Sequence, residues 1–154
     1  MDDAYSSHGY HSTAVLLPDG RVLSAGGEST VDRLWDYEIY KPPYLTTGKT
    51  QPVITSAPAS MQYYSANPVE YTVNFTLPSP RTIQRVVLMR PCSTTHHSDF
   101  DQRLVRLNVT TQGAGFVKVH APVNSARAPR GWYMLFLLTD ENIPSTKGEF
   151  VFLQ

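Results

Sequence analysis

The strongest constraint on this chain is a period of two. Val69, Tyr71, Val73 and Phe75 alternate with polar residues in Val-Glu-Tyr-Thr-Val-Asn-Phe, and Val105, Leu107 and Val109 do the same in Arg-Leu-Val-Arg-Leu-Asn-Val. Such alternation places one set of side chains on each face of a strand, whereas a helix needs apolar residues every three to four positions. No helical repeat extends over three turns anywhere in the 154 residues. Twelve prolines and nine glycines fall in short clusters between the apolar runs, where they supply the fixed and the positive φ values of turns. The chain is therefore expected to be all-β.

Its opening reads as a hairpin. Ser12–Leu17 and Arg21–Ala25 are short runs rich in Val and Leu, and Pro18-Asp19-Gly20 sets the reversal between them. Trp35, Tyr37 and Ile39 share one face of a third strand in Arg-Leu-Trp-Asp-Tyr-Glu-Ile-Tyr. Lys-Pro-Pro-Tyr-Leu-Thr-Thr-Gly-Lys-Thr-Gln-Pro (41–52) then reads as a boundary, because its prolines cannot donate to a ladder. Beyond it six or seven strands follow at the spacing of an immunoglobulin-like sandwich. Ile-Gln-Arg-Val-Val-Leu-Met-Arg is apolar enough to be covered on both sides, and Gly113 and Gly115 mark a hairpin turn. Trp-Tyr-Met-Leu-Phe-Leu-Leu-Thr looks the most buried, Trp132 included. The first forty or so residues are too short to close a core alone.

Composition narrows the partners. Thirteen basic residues balance thirteen acidic ones without a basic block, which argues against nucleic acid and against an anionic membrane surface. No apolar run is long enough to span a membrane, and the opening residues carry no signal-peptide pattern. The single Cys92 excludes an internal disulfide and a multi-cysteine zinc site, and is expected to behave as a small buried apolar residue.

The five histidines are unevenly spread. His8 and His11 precede the first strand, His96 and His97 lie in the loop Arg-Pro-Cys-Ser-Thr-Thr-His-His-Ser-Asp-Phe-Asp-Gln-Arg, and His120 stands apart. Loops mounted on a rigid scaffold are where ligands are held. Two imidazoles brought together from the two stretches, with the Tyr10 phenol, would give an N,N,O donor set that suits Cu(II) better than structural zinc. Solvated histidines on a surface loop, and Asp99 and Asp101 capping backbone amides, form the competing reading, and spacing leaves both open.

Four motifs in order resemble the galactose oxidase and glyoxal oxidase family of copper radical oxidases. They are Gly-Tyr-His-Ser-Thr-Ala-Val-Leu-Leu-Pro-Asp-Gly-Arg-Val-Leu-Ser-Ala-Gly-Gly, Glu-Ile-Tyr-Lys-Pro-Pro-Tyr-Leu, Thr-Thr-His-His-Ser-Asp-Phe-Asp-Gln-Arg-Leu-Val-Arg-Leu, and Pro-Arg-Gly-Trp-Tyr-Met-Leu-Phe-Leu-Leu-Thr-Asp-Glu-Asn-Ile-Pro-Ser. The resemblance implies that residues 1–42 are the last part of a kelch-type β-propeller, incomplete here, and that 43–154 form the family's C-terminal immunoglobulin-like, early-set sandwich. It implies copper held by Tyr10, His11 and His96, with Tyr10 the axial tyrosine that accepts the substrate hydroxyl proton. His96 rather than His97 stands at the family's distance before Asp101, and His8 matches no family role. The implied reaction oxidises a primary alcohol or an aldehyde and reduces oxygen to hydrogen peroxide. The family's cross-linked tyrosine–cysteine radical cofactor has no counterpart in this chain, so the chain alone is expected to be inactive and to need the rest of the propeller as its partner. A small alcohol, aldehyde or carbohydrate substrate and a secreted or extracellular location follow from the same resemblance. The alternative is a non-catalytic accessory or carbohydrate-binding module, with Trp35, Trp132 or Tyr63-Tyr64 as stacking surfaces.

Overall fold

The computed structural model describes residues 8–28, 33, 35–64 and 66–154. The first residues of the opening stretch, and Leu34 in the third strand, lie outside them. The N-terminal part is a three-stranded antiparallel sheet, β1 (Tyr10–Leu16), β2 (Val22–Glu28) and β3 (Tyr37–Tyr40), in that order. Its first turn forms as the residues dictate. Asp19 accepts hydrogen bonds from the Arg21 backbone N–H (3.1 Å) and from Arg21 Nε (2.7 Å), while Gly20 takes a φ of 79°. The Arg21 guanidinium holds the Asp19 carboxyl below its ordinary range.

A single 3₁₀ turn, Pro43–Leu45, leads into the sandwich. One sheet contains β4 (Val53–Ser56), β6 (Glu70–Thr76), β11 (Asn108–Gly113) and β12 (Phe116–His120) in the order β11-β12-β6-β4. The other contains β5 (Ser60–Met61), β7 (Ile83–Met89), β10 (Leu104–Arg106), β13 (Gly131–Thr139) and β14 (Glu149–Leu153) in the order β10-β7-β13-β14-β5. The chain is thus all-β, with an immunoglobulin-like sandwich behind the N-terminal sheet.

The alternation read from the sequence fills the core. Val73, Val86, Leu88, Val117, Tyr133, Leu135 and Leu137 are fully buried between the sheets. On the other face of β7 and β13, Val87, Met134 and Phe136 form a second cluster under Leu16 of β1. The apolar run of β7 is therefore covered on both sides, as its composition required. Gly113 and Gly115 form the β11–β12 hairpin.

Two details differ from the sequence reading. Trp132 is 54% exposed rather than core. It faces outward with Met134 and Phe136, at the end of β13 beyond the cluster covered by Leu16 of β1, and meets the Phe152 ring edge-on at 5.2 Å. Val69 precedes β6 and is 55% exposed, so the buried face of that strand starts later than the alternation suggested.

Candidate metal centre

The turn at residues 18–20 sets the register of β1 against β2, with Tyr10 opposite Glu28 and Ser12 opposite Gly26. His11 lies between these pairs with a φ of 62°, in the left-handed region that non-glycine residues avoid. Gly27 accommodates it at a φ of 126°, where a Cβ would come within 3.0 Å of the Gly9 nitrogen. Close approach of the two strands at this point therefore requires glycine.

The second histidine stretch is itself a small hairpin, β8 (Thr94–Thr95) paired with β9 (Ser98–Asp99). His96 and His97 are its two central residues, at φ values of 52° and 56°. Two consecutive positive φ values are what a type I′ turn needs, and Asn-Gly meets that need most cheaply. Of the four non-glycine residues with positive φ among those described, three are His11, His96 and His97. Left-handed backbone costs about 1–2 kcal/mol per ordinary residue and gathers at functional sites. Among the described residues, left-handed backbone outside glycine is concentrated on these three histidines.

The loop that presents them is anchored at both ends. Asp99 accepts the Ser93 and Asp101 amides at 3.0 Å each, as a capping residue should. Burial pushes the Asp99 carboxyl up, but those two amide bonds outweigh it and leave the carboxyl below its ordinary range. Asp101 does not cap an amide; it accepts from Arg90 Nε at 2.6 Å. Arg90 also donates to the carbonyl of Pro129 at 3.1 Å, and Arg103 to that of Arg127 at 3.1 Å. The loop is thereby tied to the segment before β13.

These anchors bring the two stretches together. The Tyr10 and His11 rings lie 3.9 Å apart, His11 and His96 4.8 Å, and Tyr10 and His96 5.8 Å. His97 reaches the Tyr10 ring at 5.7 Å. His11 Nδ1 lies 2.7 Å from Glu28 Oε1, and His96 Nδ1 lies 2.8 Å from the Thr95 hydroxyl. With Nδ1 engaged in each ring, Nε2 is the nitrogen that each can offer to a metal. Among the described residues no three His, Cys, Asp or Glu side chains are placed to hold a metal ion. The Tyr10 ring lies within 5.8 Å of both imidazole rings, so two ring nitrogens and a phenol oxygen come together here.

The remaining candidates take other places. His8 Nδ1 lies 2.6 Å from the Gly26 carbonyl oxygen, and His120 packs edge-on against Tyr64. Cys92 is half-buried, with its sulfur 3.8 Å from the Ala14 carbonyl, and burial pushes its thiol up, so it sits there as a neutral packing residue. Glu28 and Arg90 were not singled out from the sequence. The hairpin turn carried the signal for Glu28, because its register places that residue opposite Tyr10. Arg90 had none, since its partners come from a distant loop.

A fold of this kind, an early-set sandwich bearing a three-stranded sheet whose edge meets a histidine hairpin, has known relatives. Residues 51–152 match the galactose oxidase-like early-set domain, and the chain belongs to that family. It is 32% identical over 143 residues to a galactose oxidase of Gibberella zeae, covering 88% of this chain and 20% of that protein. It is 28% identical over 159 residues to aldehyde oxidase GLOX1 of Arabidopsis thaliana, covering 92% of this chain and 25% of the relative. A fungal alcohol oxidase of the AA5 family, solved in complex with copper, superposes with a TM-score of 0.82 at 23% identity, covering 100% of this chain and 33% of that one. The last comparison establishes a shared fold. The chain spans about a fifth to a quarter of the length of these curated relatives.

Proposed function

We propose that this chain is the C-terminal portion of a copper radical oxidase, in which residues 1–42 complete the last blade of a kelch-type propeller and 43–154 form the domain that carries a loop to the metal. The observation that carries the reading is the convergence of Tyr10, His11 and His96 from stretches more than eighty residues apart in sequence, two of them on strained backbone. The chemistry of the set fits copper: two neutral imidazoles and a phenol, with no thiolate. In this reading His11 and His96 bind through Nε2, each ring fixed through its Nδ1 contact. Tyr10, 48% exposed, takes the hydroxyl proton of a primary alcohol or of an aldehyde hydrate. Bound copper supplies one-electron acceptance in a two-electron oxidation whose electrons pass to oxygen, giving hydrogen peroxide.

The radical partner of that chemistry is a tyrosine cross-linked to a cysteine, and the sole cysteine here is engaged elsewhere, so the reading makes the chain inactive without the rest of its propeller. Tyr37 and Ile39, exposed on one face of β3, are consistent with a further neighbour on that face. A small alcohol, aldehyde or carbohydrate substrate and an extracellular location go with the same reading. An accessory carbohydrate-binding role finds less support, because Trp132 and Phe152 meet at 66° and offer no shared flat platform.

Titration of the chain with Cu(II), followed by electron paramagnetic resonance, tests the site. His11→Ala and His96→Ala should each abolish or reshape the bound Cu(II) signal, while His97→Ala should leave it. A signal indifferent to both of the first two changes overturns the assignment.

A further inference from the structure

We infer that Glu28 is a positioning residue for His11, an outer carboxylate that fixes the ring and its tautomer so that Nε2 faces the metal; this rests on the copper reading above. The juxtaposition is specific. Glu28 Oε1 lies 2.7 Å from His11 Nδ1, and its other oxygen lies 4.0 Å from Arg33 Nε. A carboxylate can only accept, so the short contact places a proton on Nδ1 and leaves the Nε2 lone pair free. Outer-shell carboxylates of this kind raise the basicity of the ligand and hold its plane.

Stability does not account for the pair. The two side chains are 43% and 34% exposed, and exposed ion pairs contribute little to folding. Orientation does account for it. His11 stands on left-handed backbone, and besides its ring contacts with Tyr10 and His96 it has a short polar contact from Glu28 of β2 that bears on one ring nitrogen. Glu28 is the last residue of β2, beyond Gly26-Gly27, and the strand register delivers it opposite Tyr10, next to His11. Arg33, whose backbone bridges back to Glu28, brings its Nε to 4.0 Å from the second carboxylate oxygen.

The experiment compares Glu28→Ala, Glu28→Gln and His11→Ala in the full chain, by Cu(II) affinity and by the hyperfine splitting of the Cu(II) signal. Glu28→Ala should weaken affinity about ten- to a hundredfold and alter the splitting. Glu28→Gln should lose less, because its amide oxygen still accepts from Nδ1. Thermal midpoints should stay within about 2 °C of the unaltered chain, as for an exposed pair. Affinity and splitting unchanged in both Glu28 variants, with His11→Ala losing the signal, overturn the role of Glu28 alone. A chain that gives no bound Cu(II) signal before any substitution overturns the copper reading, and this inference with it.

Discussion

In the sandwich, β13 buries six of its nine residues, whereas no residue of β1, β2 or β3 is buried. Both regions are antiparallel sheets with apolar side chains, so residue type alone does not separate them. The sandwich closes on itself and supplies its own core. The N-terminal sheet leans on it through Leu16, keeps Val15, Val22 and Leu23 half-buried, and leaves Tyr10, Tyr37, Ile39 and Tyr40 exposed. Stability and candidate chemistry are thus divided. The sandwich holds the fold and the His96 hairpin, while the sheet, without a fully buried residue, carries Tyr10 and His11.

The largest test of that division is truncation on each side. Leu137→Ala, in the fully buried core, should cost about 3 kcal/mol. Ile39→Ala, on a side chain 42% exposed, should cost no more than about 0.5 kcal/mol. Urea denaturation of both variants checks this, and similar costs would break the comparison. A smaller effect, of opposite sign, is expected at the junction. His97→Gly removes about 1–2 kcal/mol of left-handed strain and adds about 0.5–1 kcal/mol of unfolded-chain entropy. The net gain, up to about 1.5 kcal/mol, should raise the melting temperature by about 2 °C, without changing Cu(II) binding. A fall in melting temperature would show that the His97 ring contributes more than its backbone costs.

The smallest effect concerns acid. The folded-state pKa of Asp19 is lowered, so its bond to Arg21 contributes in full above about pH 4, the unfolded value, and is lost as pH falls through the lower folded value. Solvent screening of this half-exposed pair limits the contribution to a few tenths of a kcal/mol, roughly. Asp19→Asn should therefore melt slightly below the unaltered chain near neutral pH and converge with it in acid. A gap that widens in acid would reverse the assigned sign.

Much of the sandwich was legible because alternation and burial report the same fact. Val73, Phe75, Val105 and Leu107 point inward where the period places them. Trp132 was not legible: a run of seven consecutive apolar and aromatic residues, 132–138, conceals which parity faces the core, and size suggests burial where position denies it. The hairpin after Leu17 was readable from proline and glycine. The His96-His97 turn was not, because its backbone belongs to a type that sequence associates with Asn-Gly. Tyr10, His11 and His96 were named through a family resemblance, and spacing alone left their convergence open. Arg90 and Arg103, which hold the loop in place, act on backbone carbonyls, and no residue pattern announces such partners.

The turn at residues 18–20 has a mechanical consequence. Its Pro18 carbonyl accepts from the Gly148 amide at 2.7 Å, and its Gly20 carbonyl accepts from the Tyr44 hydroxyl at 2.6 Å. That end of β1 is therefore a fulcrum fixed to the sandwich, and Tyr10 and His11 ride at the far end of an arm roughly 25 Å long. A tilt of about one degree at the fulcrum displaces the tip by about 0.4 Å, beyond the roughly 0.2 Å tolerance of a metal–ligand bond. Tyr44 and Gly148, which touch neither histidine, thus act as the alignment screws that set where His11 stands relative to His96.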